Sequence, residues 1–118
     1  MNSFDLKVKI QDSIPIMSVK GYYDGEAGKK VNRTADDLLG NGNTTLILDF
    51  SECELVNSPG VSTLLDLTLK VIDDFRGRLV LCGLDSLKTR VFSMANIFPM
   101  AQKAKNMVEA LEIAKQKP

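Results

Sequence analysis

Apolar and polar residues alternate over the first ten positions, where Phe4, Leu6, Val8 and Ile10 interleave with Asp5, Lys7 and Lys9. A period of two predicts a half-buried strand. Gln11 to Ser13 can turn, and Ile14 to Lys20 supplies a second strand, so the short connection predicts an antiparallel hairpin. Asp24 can cap a helix reaching about Leu39, with Ala27, Val31, Ala35 and Leu38 on one side and Gly40-Asn41-Gly42-Asn43 as its stop. Thr44 to Phe50 and Leu79 to Cys82 are continuous apolar runs, which suggests strands buried on both faces of a sheet. Between them Pro59 to Arg76 is the longest helical pattern. Val61, Leu64, Leu65, Thr68, Val71, Ile72 and Phe75 fall on its core side, and Gly77 stands where a C-terminal cap belongs. Leu67 and Leu69 flank that side as boundary packing. Strand, helix, strand at this spacing is a βαβ unit with parallel strands.

A third helix is expected over Ser86 to Ala95, capped by Asp85 or Ser86, with Leu87, Val91 and Met94 toward the core. Ile97 to Met100 reads as a short edge strand, where Pro99 is tolerable. Asn106 with Glu109 forms a capping box for a last helix through Leu111 to about Lys115. The sum is an α/β fold with a mixed β-sheet of four to five strands and about four α-helices.

With 118 residues and 44% hydrophobic content, residues 1–118 make one globular domain. Basic and acidic side chains number 15 each. The first sixty residues lean to −3 and the rest to +3, and neither half has the basic stripe that a nucleic-acid partner needs. The chain has no His, which removes the commonest general base and metal ligand. Its two cysteines, Cys53 and Cys82, cannot make a four-ligand zinc site, and with no basic neighbour in sequence both read as ordinary reduced thiols. No run approaches the ~18 apolar residues of a membrane span, and the start lacks a secretory pattern, so a cytoplasmic protein without a membrane partner is expected.

The informative stretch is Leu55-Val56-Asn57-Ser58-Pro59-Gly60-Val61, the junction from strand to long helix. Ser58 suits the N-cap, Pro59 the first helical position, and Gly60 a close backbone approach, so capping alone accounts for the run. The same serine lies at the C-terminal end of a parallel strand and at a helix N-terminus, where free N–H groups and the helix dipole favour an anion. A phosphoryl group there would add about −1.5 to −2 charge without breaking the fold. A catalytic serine is excluded on three counts. No His can activate it, Val56 replaces the first glycine of a nucleophile elbow, and Pro59 lacks the N–H that an oxyanion hole uses. Gly21, Gly25 and Gly28 match neither a P-loop nor a dinucleotide fingerprint. Asp49, Glu52 and Glu54 read as a solvated acidic loop beside the serine.

The order of elements, with LILDFSECELVNSPGVSTLLDLTLKV, GRLVLCGL and the closing NMVEALEIA, resembles the STAS domain of anti-sigma factor antagonists across about Phe4 to Lys115. The resemblance implies a single-domain STAS-like fold and a protein that does no chemistry and needs no cofactor. It implies Ser58 as the phosphoacceptor, partnered by an anti-sigma factor with serine kinase activity and reset by a PP2C-type phosphatase, in bacterial transcription control. Asn57, Ser58, Pro59, Gly60, Ser62, Thr63 and Asp66 would form the partner-binding surface. That family usually reads Asp-Ser-Ser-Gly or Asp-Ser-Thr-Gly in this loop. Here Asn57 removes a negative charge and Pro59 removes a hydroxyl and an N–H. A module of the same fold whose loop is not phosphorylated is the alternative.

Overall fold

The computed structural model describes residues 3–117; the ends of the expected 1–118 unit lie outside them. β1 (Phe4–Gln11) and β2 (Ile14–Tyr23) pair antiparallel, with Gln11 opposite Ile14. Asp12 and Ser13 both hold positive φ, the requirement of a two-residue hairpin whose twist matches its strands. After β2 come α1 (Gly25–Gly40), β3 (Thr45–Val56), α2 (Ser58–Leu69), β4 (Arg78–Cys82), α3 (Ser86–Met94), β5 (Gln102–Lys103) and α4 (Met107–Lys115). The sheet order is β1-β2-β3-β4-β5, and β2 through β5 run parallel. The hairpin, the βαβ unit and the mixed sheet with four helices stand as expected.

Both sheet faces are covered. On one, Val31, Ala35 and Leu39 of α1 and Leu64, Leu67 and Val71 of the α2 segment pack on Met17, Val19, Leu46, Leu48 and Leu79. On the other, Ala110, Leu111 and Ala114 of α4 pack on Ile16, Ile47 and Val80. Burial on two sides is why the centres of β3 and β4 are unbroken apolar runs.

Several expectations are corrected. β3 continues past Phe50 to Val56, because β2 pairs with it as far as Tyr22–Leu55 and Tyr23–Val56. Glu52 and Glu54 therefore sit exposed on a strand rather than in a loop. The long helix changes to a π turn over Lys70–Asp74. Its end turns left-handed at Arg76, φ 51°, while Gly77 is needed because a Cβ there would run into the Thr44 carbonyl. Leu67 is buried whereas Phe75 is exposed. α3 turns Lys88 and Phe92 inward and leaves Leu87 and Met94 exposed, because Phe92 packs at a tilt against Phe50, ring centroids 5.3 Å apart. Finally, 97–100 is not a strand: Ile97 is core, and β5 begins at Gln102.

Burial pushes the Tyr23 phenol up to about 12, and burial with Asp49 alongside pushes the Cys82 thiol up to about 12. An unfolded chain releases these protons nearer pH 10 and 9, so above pH 9 it binds fewer protons than the native state. Stability should hold below pH 9 and fall as pH rises toward 12. Urea midpoints at pH 7.5 and 10.5 measure this, and the Tyr23→Phe variant should show a shallower loss.

Candidate functional site

Two parallel strands, β2 and β3, end side by side, and each feeds a helix on the same face of the sheet. The N-termini of α1 and α2 therefore meet. Asp24 caps α1 by accepting from the Ala27 N–H at 2.9 Å, as the sequence predicts. α2 is capped by Asn57 rather than Ser58. Asn57 holds extended backbone, φ −113° and ψ 174°, and its Oδ1 accepts from the Gly60 N–H at 2.9 Å. Ser58 is thereby moved to the first helical position and Pro59 to the second. The carboxamide wins because it reaches the amide three residues on, the usual N-cap bond.

That bond orients the amide completely. Since Gly60 donates, Oδ1 must face it, and Nδ2 then donates to the Tyr22 hydroxyl at 3.1 Å. An aspartate at 57 could cap equally well but could not donate, and Tyr22 would have to reverse its role. Loss of the cap in Asn57→Ala should cost about 1 kcal/mol of stability. The expected readout is a lower urea midpoint with an unchanged m-value.

The helices approach closely because glycines line their seam. A Cβ on Gly28 would fall on the Thr63 side chain, one on Gly25 would lie 3.2 Å from Pro59 Cβ, and one on Gly60 would strike the Tyr23 carbonyl. This explains two glycines for which the sequence offered no motif. Thr63 Oγ1 donates to the Gly60 carbonyl at 2.6 Å, and Asn32 Nδ2 donates to the Thr63 carbonyl at 3.0 Å.

At the mouth of the seam lies an open groove of about 650 Å³, lined by Asp24, Gly25, Glu26, Lys29, Asn57, Ser58, Pro59, Ser62 and Thr63. Five residues of the expected surface, Asn57, Ser58, Pro59, Ser62 and Thr63, come together there. Gly60 is buried beneath them, and Asp66 lies one turn further along α2. Ser58 and Pro59 are exposed, and no hydrogen bond engages the Ser58 hydroxyl among the described residues. The sequence did not single out Glu26 or Lys29. Only the pairing of β2 with β3 brings them beside Ser58.

The helix N-terminus is a poorer anion site than its sequence position suggests. Pro59 has no N–H and the Gly60 N–H is taken by Asn57, so of the first three amides only that of Ser58 stays uncommitted. Both thiols are free and buried. Burial raises Cys53 even though the Lys88 ammonium opposes it, and burial raises Cys82 as well. Among the described residues no group of three His, Cys, Asp or Glu could hold a metal ion, and no helix is long and apolar enough to cross a membrane.

Comparisons with known proteins fit this geometry. The family profile of the STAS domain matches residues 5–111. Curated protein sequences yielded no match. Among solved structures, an anti-sigma factor antagonist from Mycobacterium paratuberculosis superposes with a TM-score of 0.83 at 16% identity, covering 97% of this chain and 96% of that one. The anti-sigma factor antagonist SpoIIAA in its unphosphorylated form superposes with a TM-score of 0.73 at 18% identity, covering 98% and 100%. The Bacillus cell fate determinant SpoIIAA in its phosphorylated form gives 0.69 at 19%, covering 94% and 99%. At these identities the likeness is one of fold.

Proposed function

The chain belongs to the STAS domain family, and from that premise we propose that it is an anti-sigma factor antagonist switched by phosphorylation of Ser58. The observation that carries the reading is the Ser58 hydroxyl itself, exposed, unengaged and held on the first turn of α2 at the edge of an open groove. A similar fold is known both as an unphosphorylated and as a phosphorylated antagonist, which supports the same role here.

In this reading the unmodified chain binds an anti-sigma factor with serine kinase activity and so frees a sigma factor for transcription. The kinase supplies ATP and metal; this chain supplies only a hydroxyl on a shaped surface. Ser58 Oγ forms the new bond to the γ-phosphorus, the bond to ADP breaks, and the hydroxyl proton passes to a base on the kinase. Hydrolysis by a PP2C-type phosphatase restores the serine. Asn57, Pro59, Ser62, Thr63 and Asp66 surround the hydroxyl as contacts, with Gly60 setting the height of the loop.

The local electrostatics say why a phosphate would act on the partner rather than on the fold. With the Gly60 amide committed and Pro59 without one, the helix end offers the added charge few free donors. The phosphoryl group would stand in a groove that already carries Asp24 and Glu26, with Lys29 as its countercharge. Docking a kinase over it would bury like charges and desolvate them.

Phosphopeptide mass spectrometry of the endogenous protein, in growth and under stress, tests the proposal. A Ser58 phosphate whose occupancy changes with condition supports it. An unmodified Ser58 in every condition overturns the switch and leaves the second reading, a constitutive interaction module. That reading is favoured by Asn57 and Pro59, which replace the charged and hydroxylated neighbours usual in the family.

A further inference from the structure

On the far side of the Ser58 loop from the polar groove, the last residues of β3 and the outer face of α3 enclose a second recess of about 150 Å³, lined by Glu54, Leu55, Val56, Leu87, Lys88 and Val91. Its apolar residues are not spare surface scatter. Leu87, Val91 and Met94 recur at one helical face, a pattern that belongs to a buried side, yet Leu87 is 60% and Met94 76% exposed. Leu55, which lines the recess from β3 with Leu87 and Val91 opposite, is 56% exposed. α3 uses a different face, Lys88 and Phe92, to join the core. Val91 is partly buried against the core, so the fold covers one edge of this stripe and leaves Leu87 and Met94 in solvent.

The charges beside the recess are unequal. The Lys88 ammonium is buried and matched by Asp85, the cap of its own helix, at 2.8 Å. Hydrogen bonds from the Lys88 side chain and amide hold the Asp85 carboxyl below the usual range, so that pair is closed. Glu54 makes no ion pair among the described residues. Anything that covers the recess must therefore bury apolar surface and also answer one carboxylate, because an unpaired charge at the edge of a dry contact is costly. Glu54 lies within β3 and Ser58 opens α2, four positions further on.

We propose that this recess is the anchor subsite of the partner-binding surface, occupied by an amphipathic helical segment of the partner that inserts an aliphatic side chain against Leu55, Leu87 and Val91 and sets a Lys or Arg on Glu54. The identity of the partner rests on the reading of Ser58 as a switch; the chemistry of the recess does not. The surface has a division of labour: the apolar recess supplies adhesion, as buried centres of interfaces do, and the polar groove presents the hydroxyl that is modified. Neither Leu55 nor α3 belongs to the contact set expected from the sequence.

The test uses the full chain, isotope-labelled, titrated in NMR with a synthetic 14-residue helical peptide of leucine and lysine. Shifts should concentrate on Leu55, Leu87, Val91 and Glu54. The peptide with glutamate in place of lysine should bind at least tenfold more weakly, and Glu54→Gln should narrow that preference. Leu87→Asp should abolish the shifts without moving Tm, since Leu87 is largely in solvent. Ser58→Asp should bind the peptide as wild type does, which separates this proposal from the switch. Shifts elsewhere, or equal affinity for the two peptides, would overturn it. So would a dimer in sedimentation equilibrium that Leu87→Asp dissolves, which would assign the recess to a second copy. Flotation with phosphatidylcholine–phosphatidylserine vesicles that Leu87→Asp abolishes would assign it to lipid and overturn it equally.

Discussion

Ser58→Asp is expected to weaken binding to the anti-sigma partner by about 2–4 kcal/mol, roughly a 30- to 1,000-fold rise in Kd, because a carboxylate would be buried at a surface built around a neutral hydroxyl. The fold should not register the change. Ser58 is exposed at the first position of α2, where a negative side chain is neutral to slightly favourable for the helix. Ser58→Ala should bind with near-wild-type affinity yet accept no phosphate from ATP in the presence of the kinase. Calorimetry on the three proteins against the purified anti-sigma factor reads the affinities, and intact-mass spectrometry after incubation with kinase and ATP reads the transfer. Equal affinity of Ser58→Asp and wild type would remove the switch from the proposed function while leaving the fold assignment untouched.

Phe50→Ala should cost about 3–5 kcal/mol of stability, a large fraction of what a domain this size possesses. Phe50 is 1% exposed and bridges two aromatic rings from different elements. Its ring meets Tyr23 edge-on at 5.4 Å and Phe92 at 5.3 Å. Tyr23 is the last residue of β2, immediately before Asp24 and the polar groove, whereas Phe92 is the residue that anchors α3 and so leaves Leu87 outward. Removing the ring leaves a cavity between Tyr23 of β2 and Phe92 of α3. Urea denaturation would show the loss as a lower midpoint. Phe50→Leu, which keeps most of the volume, should recover most of it.

The two substitutions probe different parts of the chain's information. The serine is legible in the sequence, because a hydroxyl between a strand and a helix is announced by local residues: an apolar run, then Asn57-Ser58-Pro59-Gly60, then an amphipathic helix. The cap itself falls one residue earlier than the sequence predicts, since Asn57 and Ser58 are both good caps and only the placed amide decides between them. Even so small a shift matters. It commits the Gly60 N–H and leaves the helix end with fewer free donors for an anion than the sequence position suggests.

Elements whose causes are local are legible from neighbouring residues: the alternation of β1, the caps at Asp24 and Asn106, the stop after α1, the apolar runs of a sheet covered twice, and the parallel βαβ unit, whereas the choice of Asp85 over Ser86 at the start of α3 needed the placed side chain. The tertiary structure decided everything that depends on residues distant in sequence. The pairing of β2 with β3 lengthened β3 to Val56 and brought Asp24, Glu26 and Lys29 beside Ser58. The contact of Phe92 with Phe50 turned Lys88 and Phe92 inward, against a local periodicity that favours Leu87, Val91 and Met94. The close crossing of α1 and α2 gave Gly25 and Gly28 a purpose that no motif conveyed. Periodicity reports that a face is apolar; only packing, through the volume and hydrogen bonds available at each contact, selects the face that the core takes and the one left in solvent.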